Sequence, residues 1–112
     1  MVFDEASFDE DMKRAGTSAA KIGRLARRRF EAEGIGLGQL RSCGEEGDDG
    51  TSLPWCVKVY LPQPAGRFGM VLQLVAHSKG VRLRCLAFGV RHHPRGSHAP
   101  TVYELAHKRL HG

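Results

Sequence analysis

The stretch RHHPRGSHAPTVYELAHKRLHG, residues 91–112, gathers five of the chain's six histidines and four of its seventeen Lys and Arg, with a single acid, Glu104. An unperturbed imidazole titrates near pH ~6.5, which suits proton transfer close to neutrality. A guanidinium stays charged and can hold a phosphate through two parallel hydrogen bonds. The same bias runs back to residue 55. Residues 55–112 carry nine Lys/Arg against that one acid, a net of +8, whereas residues 1–54 carry eight Lys/Arg against eleven Asp/Glu, a net of −3. Acids are nearly absent from the second half rather than merely outnumbered, which favours a polyanionic partner over a solvated basic face. Metal binding is the weaker reading, because His92, His93 and His98 share one loop with no carboxylate nearby to complete a tetrahedral site.

These groups need a scaffold. At 112 residues the chain is expected to form a single domain, residues 1–112. Its 41% hydrophobic and 26% charged residues are ordinary for a soluble globular protein. No apolar run approaches the roughly 18 residues that span a bilayer. The start MVFDEASFDED is acidic and lacks the apolar segment of a signal peptide. The expected location is the cytoplasm, with no membrane partner. Cys43, Cys56 and Cys85 are odd in number and widely spaced, which fits reduced thiols, two of them on strands, rather than a disulfide framework or a zinc site.

Residues 5–15 read as a short helix: Ser7 and Glu10 have capping-box spacing, Phe8, Met12 and Ala15 share a face, and Gly16 is a stop. Residues 18–33 read as a second helix, capped by Thr17 or Ser18, with Ala19, Ile22, Leu25, Ala26 and Phe30 as its packing stripe and Gly34 as its end. The short connection makes the pair an expected antiparallel hairpin. Gly and acidic residues then erase any periodicity, and mobility is expected around 43–52. From Trp55 the period becomes two. WCVKVYL, FGMVLQLV and VRLRCLAF, residues 55–61, 68–75 and 81–88, form an expected antiparallel meander. In the last strand Val81, Leu83, Cys85 and Ala87 oppose Arg82, Arg84, Leu86 and Phe88. Residues 1–4 are long enough for one further short strand. After a polar loop, Pro100–Thr101 starts a last helix running to about Leu110. The expected class is α+β, a helical hairpin packed on a small meander with a short C-terminal helix. One sheet face carries the helices and the other presents Lys58 and Tyr60.

Three strings carry a family likeness. FDEASFDEDMKR resembles the first helix, LGQLRS the short segment before the second strand, and GRFGMVLQLVAHSKGVRLRCLAFGVR with TVYELAHKRL the aromatic-led strand, turn, strand ending Gly-x-Arg, and Val-Tyr-x-x-Ala-x-x-Arg helix. Together they resemble the RelE/ParE toxin superfamily of bacterial type II toxin–antitoxin systems, motif by motif over about residues 55–110. The resemblance implies a RelE-like mRNA interferase, a metal-independent endoribonuclease that in many members acts on mRNA at the ribosome. The 2′-hydroxyl attacks the adjacent phosphate and leaves a 2′,3′-cyclic phosphate and a free 5′-hydroxyl. It implies no cofactor, and a cognate antitoxin as protein partner. The ParE-like branch, which inhibits DNA gyrase, and a basic nucleic-acid-binding module without activity are the alternatives.

Carried over by position, the resemblance gives Arg91 contact with the scissile phosphate and Tyr103 a catalytic or base-stacking role. Lys58 matches a basic strand residue that stabilises charge or moves a proton, and Tyr60 stands where some members have a second Lys. Two departures stand out. Phe68 is followed by Gly69 where the family commonly has Arg, leaving Arg67 as the nearest substitute, although neighbouring strand residues point to opposite faces. The insert HHPRGSHAP between Arg91 and Tyr103 is longer than usual. Its His92, His93 and His98 are candidates for the missing acid or base, as is His107, one turn past Tyr103 on the same helix face. Arg82, Arg84 and Arg95 complete the expected RNA-binding surface.

Overall fold

A computed structural model describes residues 1–43, 50–93 and 95–112. Most of the stretch expected to be mobile, residues 44–49, lies outside these. The elements are β1 (Val2–Phe3), α1 (Glu5–Ala15), α2 (Thr17–Glu33), a 3₁₀ turn (Leu37–Gln39), β2 (Leu40–Ser42), β3 (Cys56–Tyr60), β4 (Phe68–His77), β5 (Gly80–Val90) and α3 (Val102–His111). The helix bounds follow the sequence reading closely, but the caps do not all. Asp4, not Ser7, caps α1, accepting the Ser7 N–H at 3.1 Å. Gly16 sits at the cap of α2 with no side-chain bond, in place of Thr17 or Ser18. The reciprocal capping box belongs to α3, where Thr101 accepts from Glu104 N and the Glu104 carboxylate accepts from Thr101 N.

The class is α+β, three helices with a five-stranded mixed sheet in the order β1-β5-β4-β3-β2. The meander is extended at both sides. β1 joins β5 in parallel, placing Val2 opposite Arg84. β2 pairs antiparallel with β3, placing Arg41 opposite Lys58. Three residues are too few to display a period, so β2 had read as loop. Trp55 is not part of β3. It lies in a turn at φ 59 and is 79% exposed.

The helices divide between the two sheet faces rather than sharing one. On the first face Phe8, Met12, Ala19, Ala20 and Phe30 of α1 and α2 pack on Val59, Leu61, Phe68, Met70, Leu72, Cys85 and Phe88. Leu25 points outward, 61% exposed, and the buried face of α2 turns instead to Ala19, Ala20, Gly23 and Phe30. A Cβ on Gly23 would come within 2.6 Å of Met12 Cε, so glycine leaves room for the end of the Met12 side chain beside α2. On the second face Val102, Leu105 and Ala106 of α3 cover Cys56, Val71, Leu86 and Ala87. Full burial of a side chain such as Phe88 or Met70 contributes about 1.5–3 kcal/mol.

A bulge in β5 accounts for this division. Val71 pairs with Ala87 but Leu72 pairs with Cys85, so Leu86 is the extra residue. Leu86 and Ala87 therefore both face α3, while Cys85 and Phe88 both face α1 and α2. The alternation read from the sequence placed Ala87 with Cys85 and Phe88 with Leu86. One inserted residue exchanges every side chain beyond it. Among the described residues no helix is long and apolar enough to cross a membrane.

The cysteines are free, Cys56 and Cys85 buried on strands. Burial pushes the Cys85 thiol up to about 12 and the Cys43 thiol up to about 11 from an ordinary 9.0. A raised folded value means the native state holds its proton longer. The contribution to stability is complete below about pH 9 and is lost as pH rises toward the folded values. Urea unfolding is expected to show stability falling between pH 9 and 11, with a shallower fall in Cys85→Val. An unchanged slope in that variant would remove Cys85 as the cause.

Candidate nucleic-acid interface

Strand alternation in β3 sends Val59 into the core and Lys58 and Tyr60 to the α3 face. Tyr60 lies opposite Gly69 on β4. Arg91 follows directly on β5, and its side chain runs back across β4 over this glycine. A Cβ at position 69 would sit 3.2 Å from Arg91 Cγ and 3.1 Å from the Val59 carbonyl oxygen. The crossing brings the Arg91 guanidinium carbon to 3.6 Å from the centre of the Tyr60 ring. Its Nη1 donates to the Gly66 carbonyl at 2.8 Å, and its backbone N–H donates to the Arg67 carbonyl at 2.8 Å. Its Nε is buried with no hydrogen-bond partner among the described residues. Tyr103, on the first turn of α3, completes the group. Lys58 Nζ lies 5.3 Å from the Tyr103 ring and 5.8 Å from the Tyr60 ring. Arg41 of β2 places its guanidinium 5.0 Å from the Tyr60 ring.

The phenols sit in unequal surroundings. Burial pushes Tyr60 upward, but the charges of Lys58 and Arg91 outweigh it and hold the phenol below its ordinary value. At Tyr103 burial dominates and the phenol rises, although Arg91 and Lys58 pull the other way. Environments that drive two like groups apart mark acid–base assignments.

The other expected residues divide. Arg67 lies just outside β4, its guanidinium 4.8 Å from the Phe68 ring, and lines a cavity with Asp11, Arg14 and Ala19 on the α1 side. It does not stand in for the missing Arg. The Arg91 side chain occupies the space over Gly69 instead. His107 is committed elsewhere: its Nδ1 accepts from Ser52 N at 2.9 Å, while His111 Nε2 donates to Ser52 O at 2.8 Å. His93 ties its loop to α3, bonding Ala99 O at 2.9 Å and Glu104 at 2.8 Å. His92, Arg95 and His98 are exposed on that loop. Arg82 and Arg84 share the Lys58 face but lie toward the other end of the long hairpin. Arg82 pairs with Val75, eight residues along from Arg67, about 26 Å away. Arg82 bonds His77 and Arg84 meets Asp4.

Two features escaped the sequence reading. Arg41 became visible only through the pairing of β2 with β3. Asp11, almost wholly buried, accepts from Arg109 at 2.8 and 2.7 Å, from Arg14 at 3.1 Å and from Phe88 N at 2.9 Å. It joins α1, α3 and β5. Its spacing from Phe8, three residues, places it on the packed face of α1.

Gly69→Ala is expected to cost about 1–3 kcal/mol, as overpacking does. The Val59 carbonyl belongs to a central strand and cannot retreat, so the new methyl displaces Arg91. Urea unfolding checks this, and a neutral result would show that the strands spread freely. Comparison with known proteins finds no family model, no curated protein and no solved structure that matches the chain.

Proposed function

We propose that this chain is a RelE-like toxin of a type II toxin–antitoxin system, with α1 and α2 forming the family's N-terminal hairpin, and that it cleaves mRNA without a metal. The supporting observation is the convergence of Lys58, Tyr60, Arg91 and Tyr103 on one sheet face. Among the described residues no carboxylate pairs with Arg41, Lys58 or Arg91. Cations gathered without counter-charges suit a phosphodiester whose transition state gains negative charge. In this reading Arg91 holds the scissile phosphate, Lys58 moves a proton at the leaving oxygen, and Tyr103 stacks on or positions a base. The reaction joins the 2′-oxygen to phosphorus and breaks the bond to the 5′-oxygen. The cognate antitoxin would be an acidic or amphipathic segment covering the +8 half. The setting is the cytoplasm, with mRNA free or on the ribosome.

The test is to incubate the purified chain with mRNA, with and without ribosomes, and to map the ends. Cleavage that leaves 2′,3′-cyclic phosphate and 5′-hydroxyl ends and persists in EDTA is expected. Intact RNA together with inhibited gyrase supercoiling would transfer the chain to the ParE-like branch. Intact RNA, unaffected gyrase and unaffected growth would leave a basic binding module.

A further inference from the structure

Tyr60 is flanked from both sides. β3 lies between β2 and β4, so Arg41 approaches the ring from one side and Arg91, lying across Gly69, from the other. Lys58, two residues earlier on the same strand face, adds a third cation, and Tyr103 of α3 is the remaining titratable group in the cluster. Among the described residues, the charged groups that act on this phenol are Lys58 and Arg91, both of which lower it. Three cations around one aromatic ring repel one another, and a phenolate among them relieves the repulsion.

Two of the candidate histidines are bonded elsewhere. His93 and His107 are bonded to backbone and, for His93, to Glu104. His92 and His98 are exposed on the insert.

We propose that Tyr60 is the proton acceptor of the site, with Arg41 and Arg91 stabilising its phenolate form. This rests on the ribonuclease reading above. The 2′-hydroxyl proton passes to the Tyr60 oxygen as the 2′-oxygen bonds to phosphorus. The bond from phosphorus to the 5′-oxygen breaks, and that oxygen takes a proton from the Lys58 ammonium. The phenol then releases its proton to water and the lysine amine regains one. The depressed phenol described above runs in the required direction, since an ordinary phenol near about 10 is almost wholly protonated at neutral pH. Arg41, from the acidic half of the sequence, joins the cluster through its guanidinium, 5.0 Å from the Tyr60 ring.

The chain has two tyrosines, so Tyr103→Phe leaves one phenol, and its ionisation can be followed by phenolate absorbance without any activity assay. That phenol is expected to titrate below free tyrosine and to move upward when Arg41→Gln is added. Titration at or above free tyrosine overturns the proposal. Tyr60→Phe keeps the ring and its cation contacts. It is expected to bind a non-cleavable 2′-deoxy oligonucleotide as the parent does, yet to cleave RNA at least about 100-fold more slowly. The parent's kcat/KM should rise with pH as the phenol ionises, and Arg41→Gln should move that rise to higher pH. Tyr60→Phe cleaving at the parent rate overturns the proton role and leaves the ribonuclease reading intact. A parent chain that does not cleave overturns both.

Discussion

Replacing Arg91 with alanine is expected to lower RNA cleavage by about 10²–10³-fold, the usual cost of removing one preorganised group that meets transition-state charge. Three contacts make Arg91 preorganised: the crossing over Gly69, the Tyr60 ring beneath the guanidinium at 3.6 Å, and the Gly66 carbonyl that fixes Nη1. The chain has therefore already fixed the rotamers of a long side chain. Arg91→Lys keeps the charge but loses the planar fork and the stacked ring, so it should recover only part of the rate. Binding should weaken for every sequence alike, with the salt slope reduced by about 1, as befits a phosphate contact. Stability should fall by only about 1 kcal/mol, the net worth of a hydrogen bond such as that to Gly66. Single-turnover cleavage, salt-dependent binding and thermal melts of the two variants check these outcomes together. Cleavage by Arg91→Ala at nearly the parent rate would mean that the phosphate is held elsewhere.

Asp11→Ala is expected to remove about 3–5 kcal/mol of stability, the cost of leaving one member of a buried ion pair alone. That is a large part of the roughly 5–15 kcal/mol that holds a domain folded. Asp11 has only 1% of its side chain exposed, and Arg109, with 17%, has no other carboxylate within hydrogen-bonding reach among the described residues. The more distant Glu10 is at 3.9 Å. The hydrogen bonds that Arg109 donates to Asp11 hold its guanidinium above its ordinary value. Deleting the carboxylate strands that guanidinium and leaves the Phe88 N–H without its acceptor. Phe88 N lies two residues past the bulge and Arg109 Nη1 donates to Leu86 O at 2.8 Å, so the damage centres on the segment that aims Ala87 and Phe88. Asp11→Asn keeps one oxygen as the acceptor for Phe88 N but loses the charge and turns an NH2 toward the guanidinium donors, and should fall between the parent and Asp11→Ala. At about 4–8 °C per kcal/mol for a domain near this size, Asp11→Ala should melt more than about 12 °C lower. A shift of a few degrees would mean that water replaces the carboxylate at little cost.

Much of the local architecture was legible before any coordinates. The stops at Gly16 and Gly34, the start of the last helix at Pro100–Thr101 and the runs from Cys56 to Val90 are short-range signals, each decided by backbone geometry and hydrogen bonds within a few residues. The concentration of cations after Trp55 was equally plain, as was the placing of Lys58 and Tyr60 on one side of their strand. Composition and alternation are properties of the chain itself.

What could not be read depends on how distant segments register against one another. The extra residue Leu86 exchanges the faces of Ala87 and Phe88, and no period of two foretells where a strand will bulge. Gly69 looked like the loss of an arginine until its cross-strand neighbours showed Arg91 lying over it. Arg41 reaches Tyr60 through a strand of three residues, and the buried role of Asp11 depends on Arg109, 98 residues away. The chain alone settled which groups are available and, on β3, which way the strand turns them. Their assembly into one cationic cluster around two phenols required a packed sheet, because side-chain contacts across strands are set by pairing and bulges rather than by neighbours in sequence.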